Sequence, residues 1–286
     1  MPPHIITAIP VPFSANSDID LAAFEGALRA IDPYVDGVLV AGTTGEFVAL
    51  DDDERVELFR RAAEVMGADR VIAHLGHGST RQVLRLADAT AVTGVRRFAL
   101  LTPYFLPSDD DGVVEYFRAL TAAHPEAEVY PYVFPERSGL EVTTGLLRRI
   151  MRLPGVVGVK LSGGAAAQLA TLAPSVGEGQ VVYSGDDSDL GHVLNHGGNG
   201  VVSGVSAAFP KLFRDLATAL DAGDERAAAE LQAVAAKVVA LAGPTITRLK
   251  VAMTARDGAD WACRMSLPAV DDPTRREIQE AVQRYS

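Results

Sequence analysis

A lysine stands inside an apolar run, Val156-Val-Gly-Val-Lys160-Leu-Ser162. Lysine is seldom fully buried without a use. An amine held away from water favours its neutral form, and a neutral amine can attack a ketone to form a Schiff base. A lysine at a strand end can also carry its head group to water along an apolar stem. Upstream, Gly42-Thr43-Thr44-Gly45-Glu46 offers two glycines for a tight turn, backbone N–H groups that can converge on an anion, and two hydroxyls. That set suits a carboxylate or a phosphate; it equally suits an ordinary turn from strand to helix. Tyr130, Tyr132 and Arg137 share one stretch that closes with Ser138-Gly139. A phenol at a strand end can move protons, and a guanidinium can fork onto a carboxylate. A buried tyrosine also finds hydrogen-bond partners for structural reasons alone. Histidines supply a metal alternative: His74 and His77 flank a strand end, while His192 and His196 have helical i, i+4 spacing near Asp186, Asp187 and Asp189. No HExxH accompanies them, and the acidic run reads more simply as a helix start.

Such residues need a scaffold that gathers them. Eight short apolar runs fall at 4–11, 36–41, 70–75, 95–102, 128–134, 156–161, 180–184 and 199–205. Between and after them lie helix-like stretches at 20–32, 51–66, 79–92, 109–122, 142–152, 164–174, 187–196 and 209–221. Asp20, Asp51, Ser79, Asp109 and Thr143 stand where caps belong. In 51–66, Val56, Phe59, Ala63 and Met66 are spaced to share a face. Strands apolar on both faces, each followed by a helix, mean a parallel sheet. Eight units over this length fit a closed (β/α)8 TIM barrel, typically about 250 residues. A doubly wound open sheet would more often show GxGxxG after its first strand, and none is present. In a barrel of this kind the chemistry sits at the carboxyl ends of the strands. Beyond 222 the strand signal stops, and 224–242, 245–257 and 273–285 read as helices. The division expected is therefore a barrel carrying the active site at 1–222 and a small C-terminal helical region at 223–286.

Composition narrows the function. The 286 residues carry a net charge of −11, a poor match for nucleic acid or an anionic membrane surface. Cys263 is the single cysteine, so neither an intrachain disulfide nor a thiolate metal cluster can form. That suits a reducing cytoplasm. The opening Met-Pro-Pro-His-Ile-Ile lacks a basic region followed by an apolar run, so no secretory leader is expected. No apolar stretch reaches the roughly 20 residues of a membrane span.

Taken together, GTTGE after the second strand, a tyrosine on the fifth and GVK on the sixth resemble the dihydrodipicolinate synthase / N-acetylneuraminate lyase family. The resemblance runs from AIPVPF near the N-terminus through SGDD at 184–187 and GNGVVS at 199–204. It implies a (β/α)8 barrel, a homodimer or homotetramer, and no metal or organic cofactor. It implies a 2-oxo acid, pyruvate above all, bound as an imine on a lysine, with a carbon–carbon bond made or broken beside it. Lys160 then resembles the imine-forming lysine, Tyr132 the proton-relaying tyrosine and Thr43 the hydroxyl that links the relay. Thr44, with Gly45 beside it, resembles the holder of the pyruvate carboxylate. Arg137 resembles the arginine that takes the carboxylate of aspartate semialdehyde, and Val202 the residue whose carbonyl approaches the keto acid.

Several positions depart from the family pattern. Phe105 stands where the synthases carry a second tyrosine that reaches into a neighbour's site, and Val133 where asparagine is common. Glu136 precedes Arg137 and can partly neutralise it. Leu161-Ser162 follows the lysine where many synthases have an acidic residue. The stretch Phe47–Asp52, with Arg55, lacks the polar residues of lysine feedback, so none is expected. Arg137 favours a synthase-like reaction with an aldehyde. Phe105 favours a 2-keto-3-deoxy sugar-acid aldolase or dehydratase, or an N-acetylneuraminate lyase. A keto-acid-binding homologue without turnover is the alternative class.

Overall fold

The computed structural model describes residues 2–286. The strands are β1 (His4–Ala8), β2 (Gly37–Val40), β3 (Val71–His74), β4 (Arg97–Leu101), β5 (Glu128–Val133), β6 (Gly158–Leu161), β7 (Val181–Ser184) and β8 (Gly200–Ser203). All pair in parallel with their sequence neighbours, and β8 closes onto β1. The sheet is thus the eight-stranded barrel expected. The helices that wrap it are α1 (Leu21–Ile31), α2 (Asp52–Met66), α3 (Thr80–Ala91), α4 (Asp110–Ala123), α5 (Pro135–Ser138), α6 (Thr144–Met151), α7 (Leu169–Leu172), α8 (Leu190–Asn195) and α9 (Pro210–Asp221). Three more follow: α10 (Glu225–Ala242), α11 (Ile246–Asp257) and α12 (Asp272–Tyr285). Among the described residues no single helix is long and apolar enough to cross a membrane.

Alternation along each strand sorts the side chains. Val38, Val71, Phe98, Val129, Val159, Leu161, Val182 and Val201 belong to the core between sheet and helices. Ile6, Leu39, Ile72, Ala99, Tyr130, Tyr183 and Val202 fill the barrel interior. On β6 this leaves Gly158 and Lys160 facing inward, because the period of a strand is two. Gly158 must be small: a Cβ there would lie 2.5 Å from the Val181 side chain and 3.1 Å from the Tyr130 ring.

Helix starts follow the expected chemistry with one exception. Asp20, Asp51, Asp109 and Thr143 each accept a backbone N–H as N-caps, and Asp51 with Glu54 forms a full capping box. Ser79 occupies a cap position, yet its hydroxyl makes no capping bond. In α2 the buried face is Arg55, Leu58, Phe59, Ala62 and Met66, rotated from the face expected. Its rotation turns Arg55 inward, where the guanidinium bonds the carbonyl of His74. The stretch 164–174 is mostly 3-10 turn around the short α7. Gly163 precedes it, Gly164 starts it and it contains Pro174, all poor partners for a regular α-helix. Helix α5, one turn opened by Pro135, was not expected; only its proline marks it.

Candidate active site

Lys160 lies on β6 directly beside Tyr132 of β5 in the sheet register. The lysine is buried, and its Nζ sits 4.0 Å from the centre of the Tyr132 ring. Among the described residues no carboxylate lies within ion-pair distance of it. The Tyr132 hydroxyl is 3.3 Å from Thr43 Oγ1. Thr43 and Thr44 come from the turn after β2, closed by bonds from the Glu46 N–H to the Thr43 carbonyl and from the Phe47 N–H to the Gly42 carbonyl. These residues face one cavity of about 270 Å³, shared with Arg137 from α5 and Val202 from β8. Six of the seven residues expected at the site therefore meet at the carboxyl end of the barrel. Gly45 does not line the cavity; a Cβ there would press within 3.1 Å of the Ala41 backbone, so its place is to let the turn fold.

Arg137 is exposed, and its guanidinium lies over the Phe134 ring at 5.2 Å. Glu136 is engaged elsewhere, accepting the Gly164 N–H at 2.8 Å. That bond, ahead of the charge of Arg137, holds its carboxyl below the usual range. The neighbouring acid thus anchors the loop after β6, and no ion pair joins it to Arg137.

Other groups at the site carried no sequence signal strong enough to single them out. Asp187 reads as part of an acidic helix start, yet it is buried in the cavity wall. The Ser203 hydroxyl donates to its Oδ2 at 2.5 Å, and Ser203 in turn accepts the Ser206 N–H. Ser206 Oγ reaches Thr7 Oγ1 at 2.7 Å. Burial pushes the Asp187 carboxyl up to about 6, against the pull of Ser203. Ser162 also lines the cavity, and the C-terminal region closes one side of it with Thr245, Ile246 and Leu249.

The histidines do not come together. His74 is fully buried, with its ring edge-on to Phe47 at 4.6 Å and near Tyr132 at 6.1 Å. Burial, then the charges of Arg55 and Lys160, hold it well below the usual histidine range, so it is neutral. Its Nε2 accepts the Leu101 N–H at 3.3 Å. His192 and His196 lie with their rings 4.0 Å apart and tilted by 34° on the exterior, at α8 and its C-terminal end. Among the described residues no three His, Cys, Asp or Glu side chains are grouped to hold a metal.

Glu46, the last residue of the GTTGE turn, is tied to the C-terminal region. Its Oε1 lies 2.5 Å from Lys250 Nζ on α11, with both side chains buried. Burial pulls the Lys250 ammonium below the ordinary lysine range, against the raising effect of Glu46.

Comparison with known proteins gives this chain relatives along its whole length. The model of the dihydrodipicolinate synthetase family matches residues 1–285. A 4-hydroxy-tetrahydrodipicolinate synthase from Mycolicibacterium paratuberculosis is 34% identical over 232 residues, covering 80% of this chain and 76% of that one. The crystal structure of a dihydrodipicolinate synthase from Bacillus anthracis superposes with a TM-score of 0.91 at 25% identity, covering 99% of this chain and 98% of the other. A sialic acid aldolase from Ruminococcus gnavus has a TM-score of 0.89 at 22% identity, covering 98% and 94%, and shares the fold.

Proposed function

We propose that this chain, which belongs to the dihydrodipicolinate synthetase family, binds pyruvate or a related 2-oxo acid as an imine on Lys160 and makes or breaks a carbon–carbon bond beside it. The observation that carries the proposal is Lys160 itself: buried, pointing into a cavity, and facing a phenol ring at 4.0 Å. The amine attacks the keto carbon, and loss of water leaves the imine. Once protonated, the imine draws electrons from the adjacent carbon, so the methyl group of pyruvate can lose a proton and attack an aldehyde. In the reverse sense the same sink accepts the electrons of a breaking bond. Tyr132, 3.3 Å from Thr43, carries protons to and from this centre. Thr44 and the turn around it hold the keto-acid carboxylate, which fixes the imine carbon for attack. The backbone of Val202 borders the bound keto acid. Arg137, held over Phe134 at the rim, receives a carboxylate of the second reactant.

The second reactant is read as an aldehyde bearing a carboxylate, as in a 4-hydroxy-tetrahydrodipicolinate synthase. The free guanidinium of Arg137 and the names of the relatives support that reading. Asp187 and Ser162 in the cavity favour a second reading, a 2-keto-3-deoxy sugar acid whose hydroxyls they would bond. Coupled assays of pyruvate with aspartate semialdehyde, set beside cleavage of keto-deoxy acids, separate the two. Condensation is expected; turnover confined to the sugar acids replaces the synthase reading with the lyase one.

A homodimer or homotetramer is part of the proposal. Phe105 and Leu106 after β4 are 92% and 71% exposed, and Val48 is also exposed, an unusual set of large apolar groups to leave in water. The lone cysteine supports a cytoplasmic setting.

A further inference from the structure

The turn that carries Thr43 and Thr44 is held in a conformation its sequence does not favour. Ala41 (φ 51°) and Glu46 (φ 55°), on either side of the two threonines, both adopt the left-handed region without being glycine. Such conformations persist where surrounding structure fixes them. Around Glu46 that structure comes from the other end of the chain. Its Oε1 takes the Lys250 ammonium at 2.5 Å, and its Oε2 accepts the backbone N–H groups of Arg264 at 3.0 Å and Met265 at 2.7 Å. Lys250 also donates to the Ala262 carbonyl at 2.7 Å and lies over the Phe13 ring at 4.5 Å. Arg264 then bolts the same segment to Glu54 of α2 and to the Ala49 carbonyl just after the turn. A buried ion pair adds little net stability, because desolvation offsets its attraction, but it can fix one geometry.

We propose that Glu46, Lys250 and Arg264 are positioning residues through which the C-terminal segment sets the grip of Thr43 and Thr44 on the keto acid. The inference rests on the reading of Lys160 as the keto-acid lysine. None of the three touches the reacting atoms. They determine how tightly the acid is held, and leave the amine chemistry of Lys160 in place.

The test is the double variant Glu46→Gln/Lys250→Met in the full chain. It removes both buried charges together while keeping an oxygen for the two backbone donors. The readout is borohydride-trapped pyruvate on Lys160, titrated against pyruvate concentration, beside the melting temperature. The half-saturating concentration is expected to rise about tenfold, with labelling at saturation unchanged. A folded double variant whose half-saturation stays within twofold of the parent overturns the proposal, whatever its melting temperature. Where the double variant does not fold, Arg264→Met carries the same titration, with a several-fold rise expected and an unchanged value overturning it. Deuterium uptake over residues 41–50 gives a readout that needs no ligand. It should rise in the variants, and unchanged uptake sinks the clamp even if pyruvate is never trapped. A parent protein that traps no keto acid sinks the imine reading instead.

Discussion

Lys160 and Lys250 are both buried, and the protein surrounds them in opposite ways. Lys250, in the C-terminal region, meets a carboxylate, a backbone carbonyl and an aromatic face. Lys160, inside the barrel mouth, meets the face of one tyrosine and an open cavity, with no carboxylate at ion-pair distance among the described residues. A cation sequestered from water needs partners, or it becomes a liability that only a function retains. Lys250 has the environment of a fastening, whereas Lys160 has that of a nucleophile. The same contrast recurs on β5. Tyr130 and Tyr132 both face inward, two residues apart. Tyr130 takes the Arg97 guanidinium at 2.9 Å and donates toward Glu128, closing the lower end of the barrel. Among the described residues Tyr132 meets only Thr43 through its hydroxyl, and it opens on the cavity.

The comparison breaks most visibly at the lysines. Lys160→Met should lower turnover about a thousandfold or more, since the nucleophile is gone. It should leave the melting temperature level or raise it, because an unpaired buried amine has become an apolar chain of similar length. Lys250→Met should act the other way around on stability. It leaves the Glu46 carboxylate buried and uncompensated, a loss of about 3–5 kcal/mol in urea unfolding. Adding Glu46→Gln should recover part of that loss. If Lys160→Met proves the more destabilising of the two, the contrast is wrong.

The tyrosines sharpen it further. Tyr132→Phe should reduce turnover by about a hundredfold with little change in stability. Tyr130→Phe should leave turnover within about twofold and cost roughly 1.5–3 kcal/mol, the worth of a hydrogen bond to a charged group. Equal kinetic effects from both would remove the special role of Tyr132. The effect expected at Asp187 appears only as a dependence on pH. Its carboxyl, pushed up to about 6, favours the neutral form in the folded chain. The stability this group contributes is complete below its ordinary value and is lost as pH rises through about 6. The gap between 3.8 and about 6 corresponds to roughly 3 kcal/mol at most. Asp187→Asn should therefore be more stable than the parent at pH 8, by roughly 1–3 kcal/mol relative to their difference at pH 4. A pH-independent difference between the two melting curves would contradict the assignment.

Much of this was legible from local pattern. Each strand appears as an apolar run and most long helices as capped amphipathic stretches, because burial on both faces of a parallel sheet leaves a plain apolar signature. Lys160 stood out because it interrupts such a run. The residues that hold the site were less visible, since their partners lie far away in the chain. Glu46 meets Lys250 across 204 positions, and Thr7 meets Ser206 across 199. No local period encodes those pairs. Arg55 is a related case: its charge suits the outer face of α2, and its burial is explained by the distant carbonyls of His74 and Gly76, the nearby Asp52 carboxylate and the Phe47 ring. Asp187 hid inside an acidic run in which Asp189 does cap α8. In the loop after β4, nothing local shows why Phe105 takes a φ of 82° and stands in water.

The central claim is that Lys160 forms an imine with a 2-oxo acid, and the chain has only four lysines, at 160, 211, 237 and 250, among which to locate it. The direct measurement is incubation with pyruvate, reduction with borohydride and peptide mass spectrometry. A reduced pyruvate adduct on Lys160, absent from the other three lysines and abolished by Lys160→Met, is the result expected. A folded protein that yields no adduct with pyruvate or other 2-oxo acids, or one labelled at Lys250 in place of Lys160, would contradict the account.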